Sequence, residues 1–320
     1  MYPLILEPAF KDYIWGGTRL RDDFGKKCDL PKIAESWELS CHKDGMSVIA
    51  NGEFKGLTLS EFIQKEGKGV LGSSCGKFED FPILIKLIDA KDNLSVQVHP
   101  DNEYAQRVEG EYGKTEMWYI VDCDDGAELL YGFKKEISKE EFKERIENNT
   151  LLEVTNSVPV KKGDVFFIRS GTLHAIGKGI LIAEIQQNSN TTYRIYDYGR
   201  VGSDGKPRQL HIDKALDVTN LCPAKPYPVS EPVQKDGYTE KLLSSCEYFT
   251  VYSMDIDGGT SLSAGSSSFV HILVLDGEAV LSADNADDIK LVKGSSVFIP
   301  AGFGSFKING KCTAVKTTVE

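Results

Sequence analysis

The run Gln97-Val98-His99-Pro100, followed by Glu116 and by His174 at the end of a glycine-rich stretch, gathers metal-ligand side chains. On a β-strand, positions two apart point to the same face, so Gln97 and His99 can reach a single ion. His99, Glu116 and His174 supply two imidazoles and a carboxylate. That set suits zinc or another divalent transition metal and can leave coordination positions open for a substrate. The seven cysteines (Cys28, Cys41, Cys75, Cys123, Cys222, Cys246 and Cys312) are scattered and never form a C-x-x-C pair. They read as reduced thiols, which leaves His, Glu and Gln as the ligands.

Other charges stand where burial would be expensive. Lys86 lies inside Ile83-Leu84-Ile85-Lys86-Leu87-Ile88, and Glu184 inside Leu181-Ile182-Ala183-Glu184-Ile185. A charge in such a run needs a partner or a polar cavity. Lys114 precedes Glu116 by two residues, and Arg194 sits in Thr191-Thr192-Tyr193-Arg194-Ile195-Tyr196. His42, His211 and His271 lack a comparable context and read as structural. Lys134-Lys135 and Lys161-Lys162 read as solvated surface charge.

The elements that must position these residues are mostly short strands. Apolar runs bounded by turn signals predict strands over 82–88, 93–99, 116–121, 164–168, 180–187 and 191–196. Gln187-Asn188-Ser189-Asn190 reads as a turn folding Glu184 and Arg194 towards each other. Helices are predicted from Leu59 with a Ser60 cap, over 102–108, over 138–148 behind a capping-box start, and over 213–220. Many strands and few helices argue for a mainly β protein built as a barrel or sandwich.

A chain of 320 residues can bury one large core or two ordinary ones. The net charge of −11 argues against nucleic acid or an acidic membrane surface as partner. No window approaches the ~20 apolar residues of a membrane helix. The start Met1-Tyr2-Pro3-Leu4 lacks signal-peptide character, so a cytoplasmic location is expected. Between Cys222 and Pro232, four prolines in eleven residues mark a linker at 223–232. A weak repeat spans it. Residues 163–174 align with 294–305, and 117–121 with 270–274, which sets Glu116 against Phe269 and His174 against Ser305. Both halves read as one fold, the second without metal ligands. The expected division is 1–222 for the metal-binding domain and 233–320 for a degenerate copy.

Gly-x5-Pro-x-Gly-x2-His is the second motif of the cupin barrel; here Arg169 stands at its Pro position and, in the second copy, Ser305 at its His position. Gln97-x-His99-Pro100, then Lys114-x-Glu116-Met117, then Gly171-x-x-His174-Ala175, then Glu184 with Arg194 ten residues on, resembles type I mannose-6-phosphate isomerases in their short bacterial form. Lys11-Asp12-Tyr13-Ile14-Trp15-Gly16-Gly17 and Ala34-Glu35-Ser36-Trp37-Glu38-Leu39-Ser40 agree, and the resemblance covers essentially the whole chain. It implies two cupin-type, jelly-roll β-barrels with a few short helices. It also implies one zinc ion per chain on Gln97, His99, Glu116 and His174, and a catalytic arginine at Arg194. Lys86, Lys114 and Glu184 fall at active-site positions. Asn190 stands where longer relatives tend to carry an acid.

The implied reaction is reversible isomerisation of D-mannose 6-phosphate and D-fructose 6-phosphate through an enediol. That chemistry needs a base for a weakly acidic C–H and positive charge at the developing oxyanion. Glu184 is the first candidate for the base and a zinc-bound water the second. Lys86 and Lys114 are candidates for phosphate and hydroxyl contacts. A cupin oxygenase using Fe(II) is the alternative that the ligand types also allow, and a sugar-phosphate sensor is a third. The basic trio Lys86, Lys114 and Arg194 favours a phosphorylated sugar.

Overall fold

The computed structural model describes residues 1–202 and 205–320. It is mainly β, with few and short helices, and its strands form sheets of nine, six and five. Each strand order runs as an open path rather than a closed ring.

The six-stranded sheet is centred on Ile180–Gln187, which pairs antiparallel with Ile83–Ala90 on one side and Glu116–Cys123 on the other. Ile180–Gln187 and Ile83–Ala90 are buried along their full length. Near-continuous apolar runs of this kind belong to a sheet covered on both faces. Lys86 and Glu184 interrupt those runs directly opposite each other in the register. The five-stranded sheet contains Val96–Val98, flanked by Tyr193–Tyr196 and His174–Ala175. Gln97 faces both His174 and Arg194 in its register.

The segment 188–192 therefore does not close a hairpin. It carries the chain from the six-stranded to the five-stranded sheet, because the polar run 187–190 binds its own neighbourhood: Gln186 Nε2 donates to the carbonyls of Gln187 and Ser189 at 2.7 and 2.6 Å. Helix Leu59–Glu66 is capped by Thr58 rather than Ser60. Thr-x-x-Glu forms a capping box in which Glu61 N–H donates to Thr58 Oγ1 at 3.2 Å and Thr58 N–H donates to Glu61 Oε2 at 2.8 Å. The helices Asn102–Val108, Lys139–Glu147 and Ile212–Val218 lie close to their expected spans.

The nine-stranded sheet holds the long strands Thr250–Ala264, Val270–Ala283 and Gly304–Thr318. The N-terminal strand Leu4–Glu7 joins it, pairing Leu4 with Phe298 and Ile5 with Val297. Lys26 Nζ reaches across the same junction, 2.7 Å from Glu38 Oε2 and 2.7 Å from the Gly294 carbonyl. Residues 223–232 form no helix or strand, yet Tyr227 stacks on Phe167 at 4.7 Å and donates to the Ser245 carbonyl at 3.0 Å.

The repeat has a structural counterpart displaced by one residue. Val165–Ile168 pairs with Glu116–Cys123 so that Ile168 faces Glu116. Ser296–Ile299 pairs with Val270–Ala283 so that Ile299 faces Val270, not Phe269. One residue along a strand exchanges the two faces, so by pairing it is Val270 that takes the place of Glu116.

Candidate metal centre and active-site cavity

Lys86 and Glu184 from the six-stranded sheet and Gln97 and Arg194 from the five-stranded sheet line one cavity, while Glu116 and His174, from the same two sheets, are buried beside Lys114 and Gln97. His99 follows immediately after its strand. His99, Glu116 and His174 are buried, with ligand atoms within 4.8 Å of one another. His174 Nε2 lies 3.4 Å from Glu116 Oε1, and His99 Nε2 lies 3.7 Å from Glu116 Oε2.

Both imidazoles are oriented by backbone. His99 Nδ1 is 2.8 Å from the Thr191 carbonyl and His174 Nδ1 is 2.8 Å from the Thr172 carbonyl. A carbonyl only accepts, so each proton sits on Nδ1 and each Nε2 lone pair faces Glu116. Metal-bound histidines are held in the same way, by a carbonyl or carboxylate on the ring nitrogen away from the metal. Gln97 Nε2 is 3.4 Å from His174 Nε2, and Ser95 Oγ donates to Gln97 Oε1 at 3.4 Å.

The donor set calls for positive charge. Glu116 Oε1 is buried without a hydrogen-bond partner. Burial, then the neighbouring Glu184, raises the Glu116 carboxyl to about 7. Burial holds His174 down at about 4 and, with the Lys114 charge, His99 well below the imidazole range. The Lys114 ammonium stands among these lone pairs, bonded to Glu116 Oε2 and 3.2 Å from His99 Nε2. Three buried carboxylates (Glu35, Glu116 and Glu184) face two buried ammonium groups, Lys86 and Lys114, an excess of one negative charge. Neutral imidazoles beside an under-compensated carboxylate fit a divalent cation.

Glu184 is tied to both lysines, at 3.5 Å from Lys86 and 3.6 Å from Lys114, and accepts from Trp118 Nε1 at 2.8 Å. Burial favours its neutral form, but Lys114, Lys86 and the Trp118 donor outweigh that and hold it below the ordinary carboxylate range. Its Oε1 has no hydrogen-bond partner. Lys86 is also 3.4 Å from Glu35 and lies over the Trp37 ring at 4.9 Å. Neither lysine snorkels to solvent. Arg194, by contrast, has no carboxylate within ion-pair distance among the described residues: its Nε donates to Ser95 Oγ at 3.3 Å and its Nη1 to the Gln209 carbonyl at 3.0 Å.

The cavity holds about 240 Å³, room for one small polar ligand rather than a drug-sized one (~300 Å³ and up). Lys86, Gln97, Lys114, Glu184, Asn190 and Arg194 all line it. Asn190 donates to Asp44 Oδ2 at 2.9 Å. Tyr13, Glu35, Arg208 and His211 line it as well and were given no role from the sequence. Tyr13 and Glu35 lie in the two N-terminal stretches that carried the resemblance. Arg208, 2.8 Å from Asp197, and His211 carried no local signal. In the second half, Phe269 is fully buried against Phe298, with ring centroids 5.0 Å apart, and Ser305 is exposed.

Residues 4–127 match the family model described as phosphomannose isomerase type I, catalytic domain, and residues 238–319 match mannose-6-phosphate isomerase, cupin domain. The chain is 43% identical over 312 residues to a mannose-6-phosphate isomerase of Bacillus subtilis, covering 96% of each. It is 40% identical over 309 residues to that of Streptococcus mutans, covering 96% of this chain and 95% of the relative. The crystal structure of mannose 6-phosphate isomerase from Bacillus subtilis superposes with a TM-score of 0.93 at 39% identity over 99% of both chains.

Proposed function

The chain belongs to the type I mannose-6-phosphate isomerase family and is an aldose–ketose isomerase of D-mannose 6-phosphate and D-fructose 6-phosphate; we propose that the cavity between the six- and five-stranded sheets is where it acts. The observation that carries this reading is the buried cluster itself. The Nε2 lone pairs of His174 and His99 face the two oxygens of one buried carboxylate, Glu116, whose Oε1 has no hydrogen-bond partner, and Arg194 lines the adjoining cavity with no carboxylate hydrogen-bonded to it among the described residues.

His99, Glu116, His174 and Gln97 are the residues that would hold one zinc ion. Bound there, zinc supplies a Lewis acid able to polarise a carbonyl. The chain's own groups do the rest. Glu184 is ionised, and its Oε1 faces the two lysines without a hydrogen bond of its own, so it is the proton acceptor we assign for the C–H bond. Trp118 and the two lysines fix its position. Arg194 is permanently cationic and stabilises negative charge on the substrate. Lys86 and Lys114 contact hydroxyl or phosphate oxygens, and Arg208 adds positive charge nearby. The sugar phosphate is the partner this site accommodates, and no helix among the described residues is long and apolar enough to cross a membrane. A cytoplasmic location remains part of this reading.

We also read the chain as two cupin-type jelly-roll units: 1–222 carrying the site, 223–232 as linker and 233–320 as a unit without ligands. The apolar interior of residues 254–314 supports the last of these. The Leu4–Glu7 strand is then lent by the first unit to the sheet of the second.

The test is conversion of mannose 6-phosphate to fructose 6-phosphate before and after chelation, with metal analysis of the purified protein. Activity lost to chelator and restored by zinc, at one zinc per chain, supports the site. Activity that survives complete demetallation overturns it.

A further inference from the structure

Arg194 lies on Tyr193–Tyr196, the edge strand of the five-stranded sheet. One side of this strand pairs with Val96–Val98. An edge residue ordinarily leaves its outward N–H and C=O to solvent. Here both are taken by one residue from outside the sheet. The His211 backbone N–H donates to the Arg194 carbonyl at 2.8 Å, and the Arg194 N–H donates to His211 Nδ1 at 3.2 Å. The same short segment holds the guanidinium, since Gln209 O accepts from Arg194 Nη1 at 3.0 Å.

We propose that His211 is a positioning residue for Arg194: the segment Gln209–His211 replaces a missing neighbour strand and fixes both the backbone and the guanidinium of the active-site arginine. The inference rests on the isomerase reading of the cavity. A backbone N–H can only donate, so Nδ1 carries the lone pair and the ring proton is on Nε2. The bracket therefore needs an acceptor at the Nδ1 position. Besides this segment, the hydrogen bond that holds the guanidinium among the described residues is the one to Ser95 Oγ. Displacement of such a group by ~1 Å can cost on the order of 100-fold in rate.

The experiment compares His211→Ala, His211→Asn and His211→Gln as full-length, metal-loaded proteins, measuring kcat and KM for mannose 6-phosphate, zinc content and Tm. The Asn amide oxygen can occupy the Nδ1 position, whereas that of Gln reaches towards Nε2. The expected result is a roughly 10- to 100-fold fall in kcat/KM for the Ala and Gln variants, recovery of most of that loss by Asn, and zinc content and Tm close to wild type in all three. Equal activity of all four proteins overturns the proposal. So does an Asn variant as impaired as Ala, or a loss that follows zinc content or Tm. Inactive metal-loaded wild type would instead overturn the isomerase reading, whatever the variants do.

Discussion

The interiors of the two halves make opposite use of β-sheet. Between the six- and five-stranded sheets lie Glu35, Lys86, His99, Lys114, Glu116, His174 and Glu184, all buried. In the second half the equivalent interior is built on Val270, Ile272, Val274, Ile289, Leu291, Phe306 and Ile308, also buried, and the described residues there bury no lysine, arginine or carboxylate. The pairing of Glu116–Cys123 with Val165–Ile168 and that of Val270–Ala283 with Ser296–Ile299 repeat one antiparallel arrangement. What differs is the content. Burying ions is costly unless each finds partners, and the first half offsets that cost only by tying every charge to another. The second half gives up the chemistry and gains a dry core. The contrast separates residues that hold the fold from those that serve the reaction, and it can be attacked from either side.

The largest effect belongs to the charged interior. Glu184→Gln keeps the shape and an acceptor for Trp118 but removes the proposed proton acceptor. We expect kcat to fall on the order of 10²- to 10⁴-fold, with zinc content and Tm little changed. A metal-loaded Glu184→Gln enzyme with near-normal turnover would remove Glu184 from the role of base.

The converse change carries charge into the dry interior. Val270→Glu places a carboxylate where the strand register puts the counterpart of Glu116, without lysine or histidine partners. An unpaired buried charge costs several kcal/mol, so we expect about 3–5 kcal/mol of destabilisation in urea unfolding. A folded Val270→Glu protein of wild-type stability would mean that the second half has space and polarity the contrast denies it. Phe306→Ala is the milder form of the same attack. It opens a cavity worth about 3–5 kcal/mol at most, and below its Tm the variant should isomerise at the wild-type rate, because Phe306 packs in the second-half core and does not line the cavity.

The sequence made the local part of this legible. Gln97 and His99 two apart, and Glu116 at the start of an apolar strand, were readable because their spacing is a property of one strand. The apolar runs 83–90 and 180–187 likewise declared themselves. Arg208 and Glu35 were not readable as cavity residues, because only tertiary pairing brings them to Lys86 and Arg194. The turn at 187–190 brings Glu184 and Arg194 to one cavity as read, but that their strands belong to different sheets was not readable, because a hairpin and a crossover between sheets share their turn residues. The repeat alignment equated Glu116 with Phe269, whereas pairing equates it with Val270. Sequence similarity does not record register, and a slip of one residue is invisible until the partner strand is known. His211 looked structural, and it has no motif; its contact with Arg194 depends on the chain returning to the sheet edge.

The smallest expected effect concerns the one histidine that the dry half buries. His271 Nε2 lies 2.9 Å from Ser296 Oγ, whose hydroxyl donates to the Glu38 carbonyl at 2.8 Å. The serine oxygen therefore accepts from Nε2–H, and Nδ1 is left buried without a partner. Protonation would place a charge at that nitrogen with nothing to receive it. Burial, then Lys26, depresses the pKa of His271 to about 3. The unfolded chain, titrating near 6.5, then binds more protons than the folded one between these values. The neutral histidine's contribution is fully present above pH 6.5 and is lost as pH falls towards 3, at up to about 1.4 kcal/mol per pH unit. His271→Gln keeps a donor at the Nε2 position and removes the titration. Urea unfolding at pH 7 and pH 5 should show the wild type losing roughly 2 kcal/mol more than His271→Gln over that interval. The difference should persist in chelator, since His271 belongs to the half without ligands. Equal losses in the two proteins would mean that the folded core already accommodates the protonated ring, and that the second half is less dry than its lining indicates.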